Sequence, residues 1–364
     1  MNVAQEFDPL YRAARLLPLA SGVACAALAT ITQTRGSTFR RAGASMLVLR
    51  DGSLICELSG GCPQRDIVWR AQQVMESSDA QLVSYGRDAN YDVMLETGCG
   101  GELDVLIEPL RHVDDLQFFE AMARLRSLRR HGALATVYAV DGHPLSPRPW
   151  RMVWGDGMPW TDVGDDALRA QLEAVLPSFG AGTVATSVRV ESGTRHYDVL
   201  VEPLRPPHAL VVIGDGIGAR MLAELSLQLG WQTTLVDPVQ AGIDAGDGIR
   251  RLAASAASLA TQVAFDTLTS AVVMTHRLER DLAYLAALLA TPASYVGVIG
   301  SRQRAAQISS ALAKADARLH VPAGLDVGSE TPREIALAVA AEILALRNGK
   351  EGGLLSQTRT PIHA

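Results

Sequence analysis

Two cysteines wrapped in glycine are the residues of this chain best suited to chemistry. Gly60-Gly61-Cys62 lies in LSGGCPQRD and Gly98-Cys99-Gly100-Gly101 in ETGCGGELD, in a chain with 4 cysteines, the others being Cys25 and Cys56. Glycine removes bulk beside a thiol and permits positive φ, so each cysteine is expected on a tight turn, its sulfur and neighbouring backbone N–H groups turned to a ligand. Thiolate is a soft donor, which suits a soft metal or a sulfur-bearing ligand. Two thiolates do not complete a closed zinc site, and neither a C-x-x-C pair nor an adjacent histidine supplies the rest. The plainer alternative is that both are small buried residues near turns.

Three other stretches could hold an anion. Thr34-Arg35-Gly36-Ser37-Thr38-Phe39-Arg40-Arg41 joins two strand-like runs. The guanidiniums of Arg35, Arg40 and Arg41 and the Ser37 hydroxyl suit anionic oxygen there, and a solvated basic hairpin loop fits equally. Gly214-x-Gly216-x-x-Ala219, with Gly218 inside it, falls between an apolar run and a helical pattern. Small residues there let backbone N–H groups approach a pyrophosphate, and Asp237, closing the next strand, is placed to accept from a ribose hydroxyl. Tight packing of strand on helix would use the same glycines. A second strand-to-helix turn, Gly300-Ser301-Arg302-Gln303-Arg304, offers a helix start and two guanidiniums. His276 and His320 each follow a strand-like run and suit a general base or a ligand, or a structural role at a loop end.

These residues need elements to hold them. A helix end near Leu16 and a turn at Gly22 precede a strand from Val23 to about Ile31, and SMLVLR, an Asp51-Gly52 turn, SLICEL and ELDVLIEPL follow as further strands. DIVWRAQQVMES, after the first glycine-cysteine turn, has helical spacing at Ile67, Val68, Val74 and Met75. A helix is expected over 114–131, then short strands over 132–200 with one helix near 165–176. DVLVEPL at 198–204 nearly copies DVLIEPL at 104–110. That reads as two strands that end alike or, more sharply, as a partial internal duplication.

After Arg205-Pro206-Pro207 the pattern becomes strand, glycine turn, helix, strand, with later strands at 271–275 and 295–300 and helices after 278, 301 and 332. Alternation of this kind predicts a parallel sheet covered by helices on both faces. The fold class is therefore α/β: a mixed α+β domain over 1–205, a Rossmann-like parallel-sheet domain over 206–349 and a polar tail over 350–364. The last helix is signed by Thr331 as cap, Pro332 at its first position and Glu334 closing a capping box.

A net charge of −6 without any Lys/Arg-rich block argues against nucleic acid or an anionic membrane as partner. The uncharged stretch from Leu16 to Thr34 is interrupted by Pro18, Ser21, Gly22, Thr30 and Thr32, so it is not expected to span a membrane. The N-terminus lacks a basic start followed by an apolar run, so a cytoplasmic chain with reduced thiols is expected.

Taken together, RGSTFRRAGASMLV, SGGCPQRD, ETGCGGELDVLIEPL, the glycine turn at 214–219, VVMTHRLERD, YVGVIGSRQR and VPAGLDVGSETPREIALAVAAEILA resemble the XdhC/CoxI family, over residues 23–349. The resemblance implies an N-terminal cofactor-handling domain and a C-terminal Rossmann domain. It implies an accessory chaperone that binds the molybdenum cofactor, as molybdopterin or its cytidine dinucleotide form. The chaperone would protect the cofactor during sulfuration and deliver it to a xanthine dehydrogenase, aldehyde oxidase or CO dehydrogenase-type apoenzyme.

Carried onto this chain, Cys62 and Cys99 with Gly60, Gly61, Gly98, Gly100 and Gly101 would hold or shield the molybdenum end, and Arg35, Ser37, Arg40 and Arg41 the phosphate. A nucleotide or phosphate would sit at Gly214, Gly216, Gly218, Asp237, Ser301 and Arg302. Implied partners are the molybdenum hydroxylase apoenzyme, a cysteine desulfurase or cofactor-synthesis protein, and a second copy in a homodimer. The work is binding and handover, with no catalytic residue. An NAD(P)-dependent oxidoreductase, reacting at His276 or a cysteine, and an adaptor that docks the client without cofactor are the alternatives.

Overall fold

The DVLIEPL and DVLVEPL segments are the corresponding last strands of two copies of one fold. A computed structural model describes residues 4–19, 23–59, 61–86, 100–155, 159–179, 183–237, 248–312 and 315–358, with the backbone alone at 4, 5 and 62. It divides into Met1–Pro206 and Pro207–Ala364.

The first unit begins with α1 (Ala4–Arg15), β1 (Ala26–Arg35), β2 (Ser45–Leu49), β3 (Leu54–Ile55), α2 (Gly61–Ser77), β4 (Gln81–Tyr85) and β5 (Glu102–Leu110). It continues with α3 (Gln117–Ser127), β6 (Gly132–Val140), β7 (His143–Pro144), β8 (Trp150–Gly155), β9 (Trp160–Thr161), α4 (Asp166–Val175), β10 (Thr186–Ser192) and β11 (Arg195–Leu204). The sheets run β3-β2-β1-β5-β4 and β10-β11-β6-β8-β9, with β7 as a short extra partner of β6. Read from opposite ends, the two orders coincide.

The registers coincide too. Thr30 faces Ser45 on one side and Leu106 on the other, as Thr136 faces Arg151 and Leu200. Both central pairs break register at one place, skipping Thr32 in β1 and Tyr138 in β6. The chain therefore carries the internal duplication, and the similarity of the two segments is more than two strands ending alike.

Alternation along the strands explains the packing. Leu28, Leu47 and Leu110 of the first sheet share a core with Leu134, Val153 and Leu204 of the second, closed by Phe7 and Leu10 of α1 and by Phe118, Phe119 and Met122 of α3. Leu106 and Leu200 meet in a smaller cluster with Tyr138. The opposite faces are covered by Ile67, Ala71, Val74 and Met75 of α2 and by Leu168 and Leu172 of α4. Each such wholly buried Ile, Val or Leu contributes about 1.5–3 kcal/mol. Between the inner faces, Arg151 pairs with Glu108 through both terminal nitrogens, with exposures of 2% and 1%.

The second unit holds β12 (Ala209–Ile213), α5 (Ile217–Gln228), β13 (Gln232–Asp237), β14 (Arg250–Ala253), α6 (Leu259–Gln262), β15 (Thr269–Val273), α7 (Leu278–Leu289), β16 (Tyr295–Val298), α8 (Arg302–Ala311), β17 (Leu319–His320) and α9 (Pro332–Arg347). All its pairings are parallel, in the order β14-β13-β12-β15-β16-β17. This is the doubly wound Rossmann order, with its reversal between β12 and β15. Thr331 caps α9 and Glu334 completes the capping box. Among the described residues no helix is long and apolar enough to cross a membrane.

Candidate functional site

Topology gathers the cysteine and arginine segments at one end of the first sheet. Arg35, the last residue of β1, pairs with Glu102, the first of β5, and Tyr85 at the end of β4 pairs with Leu103. Ile55 at the end of β3 pairs with Leu47, near the start of β2. The loop 36–44, the start of α2 and the connection 86–101 thus all leave the sheet at this end. Gly60, Gly98 and Cys99 lie outside the described residues, as does the Cys62 side chain.

The local structure corrects two expectations. Cys62 falls within the first turn of α2, which begins at Gly61, five residues before the expected start at Asp66. The helix extends back across Pro63 because a first helical turn tolerates proline, whose missing N–H would have had no intrahelical partner. Arg35 belongs to a strand rather than to the loop, since β1 runs on past Ile31. Gly61 and Gly100 have φ of 70° and 73°, the left-handed region that glycine occupies most readily. At Gly101 the constraint is space: a Cβ there would lie 2.1 Å from the Ser37 carbonyl oxygen. The backbone after Cys99 is thereby seated directly on the arginine loop.

The loop's charges are already engaged. Arg35 pairs with Asp104 at 3.3 Å and Arg40 with the buried Glu6. Burial draws the Arg40 guanidinium below its usual pKa, an effect opposed by Cys56. Burial likewise pushes the Cys56 thiol up, against the pull of Arg40. Arg41 and Ser37 are exposed.

Residues that sequence reasoning misses stand here as well. Gln64 accepts from the Ser59 N–H at 3.2 Å and donates to the Met46 sulfur at 2.9 Å, fixing the approach to α2. Asp66 accepts from the Tyr85 hydroxyl at 2.9 Å and from Arg70 Nε at 2.7 Å. The signal available was spacing: Asp66 and Arg70 are four apart on one helix. Cys56, at φ 64°, is a non-glycine residue in the left-handed region.

In the second unit Gly214, Gly216, Gly218 and Asp237 collect at the carboxyl ends of β12 and β13, beside the strand-order reversal. Gly214 satisfies its packing alternative, since a Cβ would lie 2.6 Å from the Met274 carbonyl oxygen. Gly216 caps α5, and a Cβ on it would lie 3.4 Å from His276 Nε2. Ser301 caps α8 by accepting from the Arg304 N–H, and Arg302 opens that helix, exposed. Arg304 is held by the buried Asp281, which also accepts from Thr275 Oγ1 at 2.6 Å. His320 is likewise tied: its Nδ1 lies 3.1 Å from Glu342, and its ring stacks on Tyr295. Glu342 also accepts from the Tyr295 hydroxyl and the Gly324 N–H. Burial would raise Glu342, but these donors together hold its carboxyl below the usual carboxylate range.

A cavity of about 390 Å³ lies elsewhere, against α3 and Pro159-Trp160, and holds none of the predicted site residues. Among the described residues no group of three His, Cys, Asp or Glu is arranged to hold a metal ion.

Comparison with known proteins bears on both units. The XdhC and CoxI family profile matches residues 19–86 and the XdhC Rossmann domain profile residues 210–343. A protein of Bacillus subtilis strain 168, described as a probable subunit of xanthine dehydrogenase, is 26% identical over 328 residues, covering 88% of this chain and 93% of its own. "Molybdenum cofactor insertion chaperone PaoD" of Escherichia coli K12 is 22% identical over 333 residues, covering 90% and 85%. A crystal structure described as a xanthine dehydrogenase from Bacillus halodurans matches with a TM-score of 0.74 over 99% of both chains at 19% identity, which shows a shared fold.

Proposed function

The chain belongs to the XdhC and CoxI family, and we propose that it is an accessory protein of xanthine dehydrogenase maturation that binds the molybdenum cofactor, shields it during sulfuration and hands it to a molybdenum hydroxylase apoenzyme. One observation carries the reading: a single end of the first sheet receives the arginine loop, the start of α2 with Cys62 and the connection bearing Cys99, with Gly101 seated on Ser37. Cys62 lies in the first turn of a 17-residue helix. Soft sulfur for the molybdenum end and a guanidinium or hydroxyl for the phosphate form the donor set such a cargo requires.

Binding and handover require moderate affinity. A picomolar carrier, at about −16 kcal/mol, would release its cargo too slowly to serve the apoenzyme. Existing ion pairs at Arg35 and Arg40 fit that demand, because an incoming phosphate must compete with Asp104 and Glu6. The partners proposed are the apoenzyme, a cysteine desulfurase or cofactor-synthesis protein, and a second copy of the chain in a homodimer, all in the cytoplasm.

A second reading concerns the other unit. Its strand order, its glycine turn at the reversal and Asp237 at the end of β13 favour a nucleotide there, with Ser301 and Arg302 beside it. An oxidoreductase acting through that nucleotide would need a reacting group, and His276, next to Gly216, is a candidate.

Anaerobic purification from molybdate-fed cells, with molybdenum and released pterin quantified per chain, tests the carrier reading. Near-stoichiometric cargo is expected. A chain that carries neither, in cells lacking the client apoenzyme so that cargo accumulates, refutes it.

A further inference from the structure

The cavity of about 390 Å³ against α3 shares no residue with either site described above, and its volume suits one small molecule. Helical spacing builds its longer wall: Gln117, Glu120, Ala121, Arg124 and Leu128 lie three or four residues apart along one face of α3 and just beyond its end. Pro159 and Trp160 close it from β9, and Leu125 lies beneath. Leu125 leaves this space open because two glycines let it sink onto the sheet. A Cβ on Gly132 would lie 2.9 Å from Leu125 Cδ1, and one on Gly155 closer still. Any larger residue at either place would push the leucine outward into the cavity.

The indole is held in place. Trp160 Nε1 donates to Gln117 Oε1 at 3.2 Å, which ties β9 to the first residue of α3 and satisfies the ring's one donor. The rest of the ring is apolar surface for stacking. Trp160 pairs with Val153 as Ile55 pairs with Leu47, so the first repeat has only an isoleucine where the second places this indole.

The charges of the lining are unevenly answered. Glu120 accepts from the Tyr11 hydroxyl at 2.7 Å and lies 3.6 Å from Arg15 Nε. Arg124 is exposed, and among the described residues its guanidinium has no hydrogen-bond or ion-pair partner. A guanidinium presents two parallel N–H donors that match the two oxygens of a carboxylate. The cavity therefore combines an apolar body, one fixed aromatic ring and one cation still open to an anion.

We propose that this cavity binds an aromatic carboxylate, with its ring system against Leu125, Leu128 and the Trp160 indole and its carboxylate on Arg124. The proposal is independent of the carrier and nucleotide readings.

2-Naphthoate is the probe. It is titrated into the full chain while the tryptophan indole N–H signals are followed by NMR, the Trp160 signal being identified by its loss in Trp160→Phe. A saturable shift of that signal is expected, with a dissociation constant of about 1 mM or tighter. 2-Naphthylmethanol, the same rings without the charge, should bind about fivefold more weakly, and Arg124→Gln should weaken 2-naphthoate by about the same factor while leaving the alcohol unchanged. Leu128→Glu, at a position 51% exposed, sets a carboxylate against the ligand's own and should weaken 2-naphthoate at least as much. Absence of a saturable shift at Trp160 in the wild type overturns the proposal. So do equal affinities for the acid and the alcohol, and so does 2-naphthoate binding that is undiminished in either variant.

Discussion

The two repeats of the first unit share their strands, register and outer helix, yet their corresponding ends differ. In the second repeat β10 and β11 are joined by the tight turn at Ser192–Arg195, and Asp165 caps α4 while accepting from Tyr197 and Ser192. Asp141 accepts from the His196 N–H across the same end. These polar groups are answered by neighbours, which is how a scaffold closes itself. In the first repeat the β4–β5 connection is the long segment 86–101, the helix opens on Gly61 and Cys62, and the loop carries Phe39 at 67% exposure. Carried forward from the equivalence of Thr30 with Thr136, the residue corresponding to Phe39 is Leu145, which is buried at 8%. The two copies thus differ in what joins their last strands: a tight turn in one and a long connection in the other.

The strongest test breaks the buried ion pair that ties one repeat to the other. Arg151→Ala is expected to cost about 3–5 kcal/mol, because it strands Glu108 between the inner faces, and urea unfolding reads it. Combining Arg151→Met with Glu108→Leu should recover most of that loss. Separating the two ends comes next. Gly101→Ala forces a methyl into the Ser37 carbonyl and should cost about 3 kcal/mol. Gly193→Ala, in the tight turn of the second repeat, has nothing within 4 Å of the added Cβ and should cost only the roughly 1 kcal/mol of a positive φ. Equal costs would erase the distinction between a seated backbone and an ordinary hairpin.

A smaller effect lies outside both repeats and serves as a control. Glu342 is held below the usual carboxylate range, so its contribution is complete above the unfolded carboxyl's titration and is lost as pH falls through the folded value. Glu342→Gln should therefore be less stable than wild type by about 1 kcal/mol at pH 7, with the gap closing as pH falls below about 4.3. Thermal unfolding across pH checks this, and a gap that widens in acid would show the donors to be wrongly assigned.

Much of this fold was legible because apolar alternation and glycine punctuation survive at strand ends and in the Rossmann-like half. ELDVLIEPL and HALVVIGDGIGA each combine a buried run with a turn signal, and Thr331-Pro332 with Glu334 announces a helix whose cap is as expected. Short elements were not legible. QLVSY is a five-residue edge strand of mixed polarity, and SLICEL yields only Leu54–Ile55 before Cys56 turns the chain with positive φ. The duplication was visible only in its last strand, because the pairs that carry it, Thr30 with Thr136 and Leu28 with Leu134, are defined by cross-strand partners rather than by neighbours in sequence. Of the site, the residue types were readable and their engagement was not: Glu6, which meets Arg40, is distant in sequence from the loop it holds.

The central proposal is that cargo is held at the end of the first repeat where the arginine loop and the start of α2 leave the sheet. Molybdenum and pterin should be quantified per chain after anaerobic purification of wild type, Cys62→Ser, Cys99→Ser and, from the closed end, Asp165→Asn. The account predicts near-stoichiometric cargo in wild type and Asp165→Asn, and its loss in either cysteine variant that remains folded. Full cargo in both cysteine variants would contradict it, and would move the search to the second unit.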